Sequence, residues 1–204
     1  MAANGKVCTG FSSPWVAIYG NTGTTVTYSS AAVLARGVSV AISPDDVNND
    51  NIFYADNGPA ESDPGVFSGG DLTLTVDGLL ASARDLIMGL PAATATTVGT
   101  GTVDVTHYGD DQSIPYVGVG YVVRWMSDGV TTYTATVLNK VKFNQIDSDH
   151  ATQEEDVDWQ TQELSGRILR SDNANHDWKM ESEDLATEAE ALNTVKALLG
   201  AAVS

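Results

Sequence analysis

YVGVGYVVRWM, residues Tyr116 to Met126, reads as a β-strand, because β-branched and aromatic residues dominate it and Val117, Val119, Tyr121, Val123 and Trp125 fall on one face at period two. Asp128-Gly129 follows and predicts a tight type I′ hairpin, whose two central residues must both take positive φ; Gly does so freely and Asp more readily than most. The return strand is expected over Thr131 to Asn144. Beyond an acidic loop, DVDWQTQELSGRILR (Asp156 to Arg170) gives a third extended run. Its apolar set changes parity from Val157 and Trp159 to Leu164 and Ile168, which predicts a bulge or strong twist near Gln162.

Working outward, the 204 residues suit one domain spanning 1–204, and 42% hydrophobic content is enough for a core. Ten basic residues against 27 acidic give a formal charge of −17, which opposes tight sequence-independent binding of nucleic acid, since that binding requires phosphates to be neutralised by Lys and Arg. Acidity for solubility alone is the plainer explanation. The lone cysteine, Cys8, excludes an internal disulfide and reads as a small buried or half-buried residue. No apolar run approaches a membrane span, and the N-terminus lacks a signal-peptide layout, so the expected site of synthesis is a cytoplasm.

Residues 1–13 are small and polar and read as an extended N-terminal arm. Pro14 to Ser29 look like a hairpin turning at Asn21 to Gly23, and Gly37 to Ser43 like a strand with Val38, Val40 and Ile42 on one face. The long acidic loop 44–64 contains the strand-like NIFYAD; polar loops of this length tend to carry function, which makes it the first candidate contact arm. In DLTLTVD, Leu72, Leu74 and Val76 alternate with Asp71, Thr73, Thr75 and Asp77, so one face is buried and the other wet or turned to a cavity. Asp77 is placed to cap a short helix over Leu79 to Met88, stopped by Gly89 and Pro91. Ala92 to Gly101 read as a small-residue loop, with TVDVTHY as an edge strand after it. A C-terminal helix is predicted over 183–199, capped by Ser182, with Leu185, Ala189, Leu192, Val195 and Leu199 as its stripe.

Chemistry is hard to find. His107, His150 and His176 stand far apart in no metal-ligand spacing, and Asp110-Asp111 is explained by a polar loop as well as by paired catalytic carboxylates. Asp46, Asn48 and Asp50 imitate the start of a calcium loop, but Asn51 stands where that motif needs Gly and Asn57 where it needs Glu. No nucleophile elbow, phosphate-binding Gly loop or HExxH is present. Trp125, Tyr133 and Trp159 are read as core or subunit contacts, because a base-stacking platform needs a basic groove. The residues alone therefore predict no catalytic, cofactor or metal site. They describe an acidic β-sandwich with two helices, either a self-assembling structural protein or a binding module such as a carbohydrate-recognising sandwich.

Several segments resemble the major tail protein, or tail tube protein, of long non-contractile-tailed bacteriophages, in the group typical of phages of Gram-positive bacteria. They are NGKVCTGFSSPWVA, LARGVSVAISP, NNDNIFYADN with Glu61 after it, LTLTVDGLL, YGDDQSIPYVGVGYVVRWMSDG, VKFNQ, ATQEEDVDWQTQELSGRILR and ANHDWK, in this order from Asn4 to Lys179. The stretch Thr94 to Thr106 matches least. The resemblance implies a mainly β fold with α, two packed antiparallel sheets in a sandwich or barrel-like tail-tube arrangement flanked by a short helix and a C-terminal helix. It implies hexameric rings stacked into a tube, with the chain itself, a tape-measure protein, a tail terminator and a distal tail initiator as partners. DNA would pass through the lumen without tight binding, and the protein would reside in the virion after a period in the host cytoplasm. Within that frame Asp45, Asp46, Asn51, Phe53, Tyr54, Asp56 and Glu61 are the subunit-contact candidates. Asp71, Thr73, Thr75 and Asp77 are the lumen-facing candidates, since an acidic or hydroxylated wall repels a polyanion and lets it slide.

Overall fold

A computed structural model describes residues 5–45, 51–63, 66–148, 152 and 160–203, with backbone alone at 51–53, 59 and 61–63. In chain order the elements are β1 (Val7–Thr22), β2 (Thr25–Val33), β3 (Gly37–Pro44), β4 (Asn51–Ala55), β5 (Gly58–Asp63), β6 (Gly70–Val76) and α1 (Ala81–Met88). Then come β7 (Thr94–Val98), β8 (Gly101–Val105), β9 (Val117–Ser127), β10 (Val130–Phe143), β11 (Gln162–Leu169), β12 (Lys179–Glu181) and α2 (Glu188–Leu198). The fold is mainly β with two helices, and every strand pair is antiparallel.

The hairpin of β9 and β10 is the centre. Asp128 and Gly129 both take positive φ, 50° and 78°, and Ser127 pairs with Val130, as a type I′ turn requires. The large sheet runs β2-β1-β9-β10-β11-β6-β3, with β12 added on β10. β10 joins its two halves: Thr136 to Leu138 pair with β12, the register shifts between Leu138 and Val141, and Lys140 to Phe143 pair with β11. Bulges raise the local twist. The result is sandwich-like, with the two layers made from one continuous sheet. Val16, Val119 and Leu138 from one half share a core with Leu72, Leu74 and Leu164 from the other, and Ala83, Ile87 and Met88 of α1 join it.

The opposite face of β1, β9 and β10 is covered by α2. Ala191, Val195 and Leu199 pack on Ala17, Val122, Ala135 and Val137. Residues Val117 to Val122 are consequently buried on both faces, which explains why this strand reads as almost continuously apolar. Gly118 and Gly120 point toward α2, where side chains would collide with Tyr28, Val195 and Leu199.

Several expectations change. The predicted N-terminal arm is part of the sheet from Val7 onward: β1 pairs with β9 from Val7 opposite Met126 to Ile18 opposite Val117, and Phe11 meets Tyr121 edge-on at 5.4 Å. Its small polar residues hide a strand because pairing with β9 satisfies the backbone without needing apolar side chains on both faces. Cys8 is exposed there, not buried. Val38 leaves the face of Val40 and Ile42, because the register shifts between Gly37 and Ser39. Asp77 does not cap α1; Leu80 is the N-cap without a side-chain cap, while Asp77 binds Arg36, and Gly89 closes the helix in the left-handed region as expected.

α2 begins at Glu188 rather than 183. The Thr187 hydroxyl accepts from Glu190 N and the Glu190 carboxylate accepts from Thr187 N, and this reciprocal capping box fixes the start. Ser182 instead accepts Ala135 N, and Leu185 bridges to Tyr133. The predicted loop 44–64 contains a hairpin, β4 with β5, turning at Asp56 and Asn57 with φ of 50° and 61°; the predicted loop Ala92 to Gly101 contains β7 and a turn at Gly99, which leads to β8 at the expected edge strand. Asp46, Asn48, Asp50, His150, Val157 and Trp159 lie outside the described residues; of the bulge or twist expected near Gln162, the described part shows β11 pairing with β6 in unbroken register from Gln162 to Ile168.

Candidate functional site

The polar face of β6 is extended on both sides by its neighbours. Leu72, Leu74 and Val76 point into the core, so Asp71, Thr73 and Thr75 point out of it. Opposite them on β3 stand Ser43, Ala41 and Ser39, and on β11 Arg167, Ser165 and Glu163. The alternation in VSVAIS and QELSGRIL carries this pattern, with Leu164 and Ile168 buried and Glu163, Ser165 and Arg167 exposed. Lys142 continues the row on β10, opposite Arg167. The neighbours of β6 were not anticipated as site residues, since nothing local says which strands will flank it.

Charge on this face is organised by Arg167. Its guanidinium donates 2.8 Å to Asp71 and also binds Asp45, just beyond β3. Those hydrogen bonds, Asp71 first and Asp45 second, push the guanidinium still further toward its charged form. One expected contact residue, Asp45, and one expected lumen residue, Asp71, therefore belong to a single ion cluster tying β11, β6 and β3 together. Asp77 stands apart: its carboxylate takes the backbone N–H and Nε of Arg36, and the Arg36 side chain holds it below the usual carboxylate range. Thr73 and Thr75 remain in the middle of the face, flanked by serines and Glu163. A polar notch of about 360 Å³ lined by Gln145, Gln162, Glu163 and Ser165 adjoins them.

Asp46 lies outside the described residues, and the other contact candidates lie on the β4–β5 hairpin. Phe53 pairs with Glu61 and Asn51 with Asp63 through the backbone, Tyr54 is 63% exposed, and Asp56 forms the turn. The second hairpin, β7–β8, is exposed from Thr94 to Asp104; β8 overlaps the edge strand expected in TVDVTHY, whereas β7 falls in the expected loop, where Thr and Ala imitate irregular chain.

Elsewhere, His107 is exposed, and His176 places Nδ1 2.9 Å from the Ser171 carbonyl. Asp110 and Asp111 are exposed in a turn. Among the described residues no group of His, Cys, Asp and Glu is placed to hold a metal ion, and no helix is long and apolar enough to cross a membrane. Trp125 lies beneath the Lys6 ammonium, 5.0 Å from the ring centre, and Tyr133 packs beside α2. The outward face of β3, β6 and β11 is thus a row of hydroxyls in which the carboxylates of Asp71 and Asp45 are tied to the Arg167 guanidinium. Comparison of the chain with known protein families and with curated proteins gives no match.

Proposed function

We propose that the protein is a structural subunit that assembles with copies of itself into hexameric rings, stacked as the tail tube of a long non-contractile phage tail. The observation that carries this reading is the outward face of β3, β6 and β11, which is hydroxylated over three adjacent strands and whose basic residue, Arg167, is held by the carboxylates of Asp71 and Asp45. Such a face suits the wall of a conduit for DNA, because fixed negative charge and neutral hydroxyls give a polyanion little to hold. The sequence resemblance supports the same reading. So does the sheet, which ends on β2 and β3, two strands whose far edges have no partner among the described strands and can extend into a neighbouring subunit's sheet.

In this reading the role is structural and not enzymatic, and the tape-measure protein, terminator and distal initiator are partners in the virion. Negative-stain microscopy of the purified protein tests it. Tubes or stacked rings are expected; a monodisperse monomer that binds sugars on a glycan array would replace this reading with a carbohydrate-binding sandwich.

A further inference from the structure

Four strands place their side chains in one row across the outward face. Lys142 on β10 lies opposite Arg167 on β11, which lies opposite Asp71 on β6 and then Ser43 on β3. Like charges directly opposite on adjacent antiparallel strands destabilise the pair. Lys140, two residues along β10, puts a third cation on the same side of the sheet.

The carboxylates beside these cations are already taken. Arg167 binds Asp71 and Asp45, and Lys140 binds Asp172 at 2.8 Å. Asn144, two residues beyond Lys142, donates its amide to the Ser165 hydroxyl. Lys142 itself is exposed and makes no ion pair among the described residues, its ammonium resting 5.5 Å from the centre of the Tyr116 ring. Only ten residues of the chain are basic, and one of them is spent where its strand neighbour repels it. A local rule broken with no gain inside the fold marks a functional position, and the group that would offset this repulsion is an anion.

Position and chemistry identify the anion. β10 is the middle strand in the order β2-β1-β9-β10-β11-β6-β3, three strands from either edge, or roughly 14 Å at the usual spacing. A subunit joined at those edges therefore has no short route to Lys142 with a carboxylate. Lysine is a compact point charge that attracts phosphate without the two-pronged grip of arginine. Set on a sheet face next to the row of Ser165 and Thr73, it holds a phosphate loosely. That suits a polyanion moving past better than a captured small anion.

We infer that Lys142 is a phosphate contact of the conduit wall, one in each subunit, touching the backbone of passing duplex DNA. The inference deepens the conduit reading and rests on it. Repeated around a ring and along a tube, a weak contact becomes a salt-dependent drag on transit.

DNA ejection from particles carrying Lys142→Gln or Lys142→Arg, timed at two salt concentrations, tests it, with urea denaturation of each purified subunit as the check on folding. Lys142→Gln is expected to fold and form tubes, to eject DNA faster than the unaltered particle at low salt, and to lose most of the salt dependence. Lys142→Arg is expected to keep that dependence. Unchanged ejection of Lys142→Gln particles at both salts, or Lys142→Arg particles that behave like Lys142→Gln, would overturn the contact and leave the tube standing. A folded Lys142→Gln chain that no longer forms tubes would overturn it in favour of a carboxylate on a neighbouring subunit. An unaltered chain that forms no tubes by microscopy would remove the conduit, and the DNA contact with it.

Discussion

Asp71 and Arg167 face each other across β6 and β11 and are joined by a 2.8 Å hydrogen bond, which makes the outward sheet face a paired surface and not a row of free carboxylates. This relationship decides where a probe of the proposed conduit should be placed. Thr75 lies opposite Glu163, so a lysine there would find a carboxylate partner, whereas Thr73 lies opposite Ser165 and Ala41. Thr73→Lys is therefore expected to fold and assemble, with a change in stability within about 0.5 kcal/mol as is usual for surface charge. If the face lines a lumen, it adds a phosphate contact per subunit, and DNA ejection is expected to slow and to recover as salt rises. Ejection kinetics on mutant particles at two salt concentrations check this; normal, salt-independent ejection would place the face elsewhere.

Gly120 is expected to be intolerant of even a methyl group. A β-carbon there would fall 2.6 Å from Val195 Cγ1, with Leu199 Cδ1 and Val137 Cγ2 at 3.1 and 3.3 Å. Branched side chains fixed in a helix–sheet contact have little room to move. Gly120→Ala should destabilise by about 1–3 kcal/mol as overpacking does, less a few tenths recovered from the unfolded chain. Urea denaturation of the variant measures this, and unchanged stability would contradict the packing of α2.

Helix α1 contributes its own test. Ile87 is fully buried in the shared core, while Leu86 is only partly so. Ile87→Ala should therefore cost about 2–5 kcal/mol, as large-to-small core changes do, and Leu86→Ala distinctly less. Thermal unfolding of the pair gives the ranking, and a reversed order would mean that the helix is rotated.

For α2, Thr187→Ala removes half of the capping box and should cost about 1 kcal/mol. Ser182→Ala acts elsewhere, through the hydrogen bond from Ala135 N, so only the Thr187 change should raise amide exchange in the first turn of α2. Equal protection in both variants would argue against this helix start.

Acid stability should depend on Asp172. Lys140, and then the Tyr19 hydroxyl, hold its carboxyl below the usual value of 3.8. The folded state therefore binds this proton less readily than the unfolded state. Its contribution is complete above about 3.8 and is lost as pH falls through the lower folded value. Asp172→Asn is expected to flatten the stability–pH curve below pH 4 relative to the unaltered protein, read by denaturation at several pH values. An identical acid slope would remove Asp172 as a contributor.

Alternation by itself determined the strands that decide the fold. Val117, Val119, Tyr121 and Val123 do face the main core, Asp128-Gly129 does turn the hairpin, and Leu72, Leu74 and Val76 are buried while Asp71, Thr73 and Thr75 are not. These are local statements, fixed by a two-residue period and by which residues tolerate positive φ. Tertiary structure decided the rest. Only strand order brings Arg167 beside Asp71 and Asp45, although they are far apart in the chain. Only pairing with β9 turns the polar stretch from Val7 to Ser13 into sheet, and only the packing of α2 explains why Gly118 and Gly120 carry no side chain. Residue type records what a backbone position can bear; which neighbour makes it necessary is set by contacts between segments distant in sequence.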